Sequence, residues 1–153
     1  AEWRLLAEFL RRHLPVPRPV AARYQRRGLS YTADLITEEI AGARTLAQSL
    51  SSRSAEQWRA IGRTIARFHR EGVHHADLNA HNILIAPDDR IYVLDFDRGQ
   101  IREPGSWEQD VLARLKRSLE KVSRQRSDAH FNERNWSALM EGYEEEKRLA
   151  VSG

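Results

Sequence analysis

The chain contains no cysteine. Disulfides and thiolate metal sites are therefore excluded, while the compartment is left open beyond permitting the cytoplasm. No apolar run approaches the roughly 20 residues that a bilayer-spanning helix needs, and residues 1–13 do not have the layout of a secretory signal. There is no internal repeat and no low-complexity segment. A strong excess of one charge is also missing: 25 Lys and Arg face 22 Asp and Glu, a net charge of +3. That balance is compatible with a phosphorylated or acidic substrate but does not single one out. Nucleic acid is not an expected partner, because the basic residues are not interleaved with aromatics and no reader motif is present. The 153 residues, 41% of them hydrophobic and 31% charged, suffice for one core.

The informative stretch is His75-Ala76-Asp77-Leu78-Asn79-Ala80-His81-Asn82, followed by Asp95-Phe96-Asp97. The pattern is H-x-D-x-x-x-x-N, an apolar strand, a polar turn, a second apolar strand, and D-F-D. Phosphoryl transfer requires a carboxylate near the acceptor hydroxyl and oxygen ligands for Mg²⁺ beside the ATP phosphates. Asp77 supplies the first, accepting the hydroxyl proton or orienting the hydroxyl. Asn82 and Asp95 supply the second, because Mg²⁺ is a hard ion that prefers oxygen. Asn82-Ile83-Leu84-Ile85 and Ile91-Tyr92-Val93-Leu94 read as paired strands around the turn Pro87-Asp88-Asp89-Arg90. Such a hairpin folds Asp95 back towards Asp77. Asp97 reads equally well as a third carboxylate near the metal or as the partner of a neighbouring arginine.

Helical periodicity marks residues 54–71, where Trp58, Ile61, Ile65 and Phe68 share a face. Ser54 and Gln57 stand at capping-box spacing, and Gly72 is a C-terminal stop. A first helix is predicted over residues 1–13, with Trp3, Leu6 and Leu10 on one face, ended by the proline-rich residues 15–19. Residues 20–26 and 29–37 read as a hairpin around Arg27-Gly28. A short helix is predicted over 45–50, two amphipathic helices over 107–126 and 132–149, and a mobile link over 123–130. Arg114, Arg117, Lys121 and Arg124 share one face of the first amphipathic helix. That face reads as solvated, or as a contact for anionic lipid headgroups or lipid A phosphates. His75 is expected to support its loop through ring hydrogen bonds, and His81 to pack or hydrogen-bond near Asn82. His69, at a helix C-terminus, is expected to carry partial positive charge.

The segment 72–84, together with Leu94-Asp95-Phe96-Asp97-Arg98-Gly99, resembles the 3-deoxy-D-manno-octulosonic acid (Kdo) kinases. These are lipopolysaccharide-core kinases of the protein-kinase-like superfamily. The resemblance extends to Pro15-Val16-Pro17-Arg18-Pro19, Gly42-Ala43-Arg44-Thr45-Leu46 and Arg114-Leu115-Lys116-Arg117-Ser118-Leu119-Glu120-Lys121, and so covers nearly the whole chain. The H-x-D-x-x-x-x-N element also suits aminoglycoside-type small-molecule kinases and RIO-like kinases; the Asn79-Ala80-His81 filling and the D-F-D-R-G ending favour the Kdo branch. It implies an α+β, protein-kinase-like fold: a partial N-lobe of helix and hairpin over 1–37, a hinge over 38–44, and a mostly helical C-lobe over 45–153.

The implied reaction is ATP- and Mg²⁺-dependent phosphorylation of a Kdo hydroxyl on a lipid A precursor, at the cytoplasmic side of a Gram-negative inner membrane, with peripheral membrane association. It places Asp77 and His75 in the catalytic loop and Asn82 and Asp95 at the metal. The backbone of Glu38, Glu39 and Ile40 lies against adenine, and Glu2 stands where a helix glutamate pairs with a strand lysine. The family's glycine-rich phosphate loop and that lysine do not occur in this sequence, which starts at Ala1. The expectation is an N-terminally truncated piece with little activity of its own. A heptose or other small-molecule kinase and a non-catalytic nucleotide-binding or interaction module are the alternatives.

Overall fold

The computed structural model describes residues 2–27, 30–51 and 53–151, with backbone alone for 20–37, 150 and 151. The architecture is α+β, as expected: among the described residues, four helices surround three small antiparallel sheets. Helix α1 (Glu2–Arg11) stops ahead of the prolines, which cannot continue it. A two-stranded ribbon follows, β1 (Pro19–Arg27) and β2 (Ser30–Thr37), paired from Pro19↔Thr37 to Arg27↔Ser30. The anticipated turn at Gly28 lies outside the described residues.

Residues 45–50 do not form the predicted helix. Arg44–Thr45 is a short strand, β3, paired with β5 (Ile83–Ile85), and β5 pairs in turn with β6 (Ile91–Val93). Thr45 and Gln48 exchange two side-chain to main-chain hydrogen bonds of 3.0 Å each. The turn thus satisfies locally the groups a helix would have used, and edge pairing with β5 wins over a single unsupported turn.

Helix α2 (Ala55–Arg70) forms as predicted, with Ser54 and Gln57 completing the capping box. Gly72 ends it at φ +72°, where any side chain would be strained, and a Cβ there would meet Arg102 O at 2.5 Å. Trp58, Ile61, Ile65 and Phe68 are all buried. Strand β4 (Val73–His75) follows and pairs with β7 (Gly99–Ile101). Helices α3 (Trp107–Gln125) and α4 (Glu133–Val151) complete the chain. The predicted apolar face of α3, namely Trp107, Val111, Leu115, Leu119 and Val122, is buried. The link 126–132 is anchored: Arg126 donates to Ala47 O, His130 N donates to Leu50 O, and Ala129 is buried.

His69 overturns its expected role. It is buried beside Tyr143 and Trp107 rather than exposed at a helix end. Tyr143 OH donates to Glu108 Oε2 at 3.3 Å, so His69 Nδ1, 2.7 Å from that hydroxyl, donates to it. Lys147 Nζ reaches the same Glu108 oxygen at 2.9 Å. Burial, reinforced by the Lys147 charge and then by His74, pushes the His69 pKa down to about 3. The ring is neutral when folded, yet takes a proton below its ordinary value of 6.5 when unfolded. Stability is therefore greatest above that value and falls as pH drops through 6.5 towards 3. Unfolding in urea at pH 7.5 and 5.5 should show wild type losing about 1 kcal/mol more than His69→Gln over that interval. Equal losses would mean that His69 titrates normally.

Candidate functional site

The two halves of the motif are fastened to each other by main chain. β5 and β6 pair at Ile83↔Val93, and beyond that pair Leu94 N donates to Asn82 O at 2.8 Å. The hairpin therefore sets Asn82, at the start of one strand, beside the residue that precedes Asp95. His75 adds a second tie. Its Nε2 lies 2.7 Å from Leu94 O, and because a carbonyl only accepts, Nε2 carries the hydrogen. Burial holds the His75 pKa below its ordinary value, against the opposing pull of the Leu94 bond and of Asp95 and Asp77. The ring is a neutral strut joining the two loops, the supporting role expected of it.

Within the 75–82 loop, Asp77 O accepts from Asn79 Nδ2 at 2.9 Å and from Asn82 Nδ2 at 3.3 Å. Asn79 also accepts from the His81 and Asn82 amides, through Oδ1 at 2.8 Å and O at 3.1 Å. The Ala80 amide is capped by Ser118 Oγ of α3 at 2.9 Å. The loop's shape is thus set by two asparagines and a helix serine, and the Asp77 carboxylate projects from it half-exposed. Asn82 is buried and commits Nδ2 to Asp77, which leaves its Oδ1 as the acceptor. The His81 side chain is exposed.

Asp95 is exposed and adopts φ +63°, a left-handed conformation that Asp tolerates better than most residues. The next residue is the anchor. Phe96 is buried against Phe9 of α1, at 4.9 Å between ring centroids, and Phe68 of α2, at 5.7 Å, two rings that also meet each other, with the His75 ring at 4.9 Å. Burying the central ring turns both flanking carboxylates, Asp95 and Asp97, outwards. Glu2 stands close to them. Burial raises its pKa, the Asp97 and Asp95 charges push the same way, and a hydrogen bond with the Phe96 backbone opposes them. Asp97 is exposed and makes no ion pair among the described residues, and its charge acts on Glu2.

Glu38, Glu39 and Ile40 lie in the link between β2 and β3, with Glu38 and Glu39 exposed. Glu38 N donates to Arg18 O at 2.8 Å and Ile40 O accepts from Ala43 N at 3.1 Å. No hydrogen bond or ion pair among the described residues joins these three to the cluster of His75, Asp77, Asn82, Asp95 and Glu2.

Three contributors escaped the sequence reading. Asn79 and Ser118 organise the loop, and Arg114 places Nη1 3.7 Å from Asp77 Oδ1. Helical phase groups Arg114 with Arg117, Lys121 and Arg124; of the four, it turns to the motif aspartate. Its presence and that of Ser118 in the stretch 114–121 was the available signal.

The model of the lipopolysaccharide kinase (Kdo/WaaP) family matches residues 1–143. The chain is 47% identical over 146 residues to a 3-deoxy-D-manno-octulosonic acid kinase of Xylella fastidiosa (strain M12). It is 47% identical over 149 residues to the protein of the same name from Xanthomonas campestris pv. campestris (strain B100). Each alignment covers 94% of this chain and 58% of the relative, so the chain spans less than two thirds of the relatives' length. With the motif residues in place and nearly the whole chain matched, this protein belongs to the lipopolysaccharide kinase (Kdo/WaaP) family.

Proposed function

We propose that the full-length protein transfers phosphate from ATP to a hydroxyl of a Kdo sugar on a lipid A precursor. The observation that carries this reading is the double tie at Leu94, to His75 Nε2 and to Asn82 O. It brings the carboxylate of the 75–82 loop and the oxygens of Asn82 and Asp95 into one locality, as phosphoryl transfer demands. Asp77 accepts the acceptor's hydroxyl proton or orients that hydroxyl, and the amides of Asn79 and Asn82 hold its main chain steady. Asn82 and Asp95 offer oxygens suited to Mg²⁺, which supplies charge neutralisation at the phosphates when bound. No group of three His, Cys, Asp or Glu converges on a metal site among the described residues. Mg²⁺ does not require one, since it is commonly held by one or two carboxylates with phosphates and water. His75 acts through position, not chemistry.

The same reading assigns residues 1–37 to a partial kinase-like N-lobe, 38–44 to the hinge and 45–153 to the C-lobe. The backbone of Glu38, Glu39 and Ile40 then meets adenine, and Glu2 takes the place of the lysine-pairing glutamate. No helix among the described residues is long and apolar enough to cross a membrane. We assign the reaction to the cytoplasmic face of the inner membrane, reached peripherally, with the exposed Lys121 and Arg124 facing anionic headgroups.

The test is ATP-dependent labelling of a Kdo-bearing lipid A precursor by the full-length protein and by Asp77→Ala. The variant is expected to melt like wild type and to lose about 10²–10⁴-fold in rate. Undiminished transfer by the variant, or no transfer by wild type, would overturn the reading.

A further inference from the structure

A cleft of about 370 Å³ opens between β4 and α3, lined by His74, Ala76, Asp110, Val111, Ala113, Arg114 and Arg117. Ala76 precedes Asp77 in the chain, and Arg114 reaches the Asp77 carboxylate from the opposite wall. The cleft therefore adjoins the carboxylate proposed to receive the acceptor's proton. Its volume lies at the small end of ligand sites, which suits one sugar residue better than a lipid-bearing glycan.

Its charge is informative. Two guanidiniums line it against one carboxylate, Asp110. Arg117 is exposed and has no ion-pair partner among the described residues. Among the described residues Arg114 pairs with Asp77 alone, across 3.7 Å, with the two side chains 53% and 44% exposed. Ion pairs that open to solvent are weak and readily exchanged. The remaining wall adds no competing anion: Arg102 Nη1 lies 3.5 Å from His74 Nδ1, and since Arg only donates, that nitrogen is unprotonated and the ring neutral. Burial, then the Arg102 charge, lowers the His74 pKa, against the pull of Asp110. The other two larger clefts lack this combination. In the one beside Pro15 and Tyr92, Arg63 pairs with Glu56 and Arg90 with Asp88, Arg67 donates to His13 O, and Asp89 and Glu146 add two carboxylates to the lining. The one under α1 is lined by Glu2, Glu8 and Asp97 with Arg4 alone.

We propose that this cleft is the acceptor subsite, and that Arg114 and Arg117 bind the carboxylate of an acidic sugar there. The inference rests on the function proposed above and adds how the acceptor is recognised. A sugar carboxylate entering the cleft meets Arg117 and draws Arg114 off Asp77. Guanidinium is the group of choice for a carboxylate, because its fork matches both oxygens. The exchange leaves Asp77 free to take the hydroxyl proton once the acceptor is in place. Recognition and activation of the base are then one event.

The experiment measures binding and turnover separately, with full-length protein. Binding of a Kdo methyl glycoside and of its carboxamide, which lacks the negative charge, is followed by calorimetry in wild type, Arg117→Gln and Arg117→Lys. Wild type should bind the acid about tenfold or more tightly than the amide, as charged hydrogen bonds of this kind imply. Arg117→Gln should bind the two alike, and Arg117→Lys should recover part of the preference. In turnover, Arg117→Gln should raise the acceptor KM by a similar factor while the ATP KM stays put. Arg114→Gln should raise the acceptor KM by a similar factor, with Arg114→Lys recovering part of the loss. If wild type does not distinguish acid from amide, or Arg117→Gln still does, the subsite is wrong even where phosphate transfer to Kdo is intact. If wild type shows the charge-dependent binding but transfers no phosphate, the subsite stands and the proposed reaction fails.

Discussion

Asp95→Asn in the full-length protein is expected to lower phosphate transfer by about 10³-fold or more while leaving the melting temperature within a few degrees of wild type. Asp95 follows Leu94, which β6 ties to Asn82, and it is exposed. In the role proposed for it, its loss would remove the charge that holds Mg²⁺ against the phosphates. Losses of about 10²–10³ follow removal of a single uncharged stabilising donor in other enzymes, and a metal ligand carries more. Asparagine is the informative replacement. It keeps the shape and tolerates φ +63°, whereas alanine adds a backbone penalty of roughly 1–2 kcal/mol to the lost charge. Asp95→Ala should therefore be as inactive but measurably less stable, which separates chemistry from fold. Wild-type turnover by Asp95→Asn with Mg²⁺ as the only metal would dismiss the metal role.

Gly62→Ala and Gly142→Ala are each expected to destabilise the protein by about 3 kcal/mol or more. A Cβ at Gly62 would stand 1.8 Å from Leu139 O, and one at Gly142 would stand 2.0 Å from Arg59 O. In both cases the obstacle is the main chain of the facing helix, which cannot swing aside as a side chain can. On an exposed helix the same change stabilises, by up to about 1 kcal/mol, because alanine is the better helix former. The sign of the effect thus reports how closely α2 and α4 approach. Overpacking a fitted interior costs about 1–3 kcal/mol for added methylenes, and a backbone collision lies at or beyond the top of that range. Urea unfolding should show a lower midpoint at unchanged slope. A raised midpoint in either variant would mean that the helices are further apart than described.

Much of the site was legible because its signals are local. The motif residues sit at short spacings, the hairpin announces itself by two apolar strands around a polar turn, and Ser54 and Gln57 cap α2 as their spacing dictates. The misreadings share a different cause. The fate of His69 depends on Tyr143, distant in sequence, and no helix-end rule carries that contact. Thr45 pairs with Leu84 across the fold, and its local turn with Gln48 mimics a helix start. Helical phase put Arg114 on a basic face but could not say that Asp77 lies opposite one end of it. The paired glycines at 62 and 142 carry no pattern at all until two helices are laid together.

The ring of Phe96 behaves as a fulcrum. It is packed against both Phe9 and Phe68, which also meet each other edge-on, and packed interiors transmit displacement instead of absorbing it. A tilt of α1 must therefore be relayed through Phe9 to the ring, and from the ring to the acidic residues on either side of it. Whatever leans on the outer surface of α1 gains leverage over the distance between Asp95 and Asn82, the two residues proposed to hold the metal.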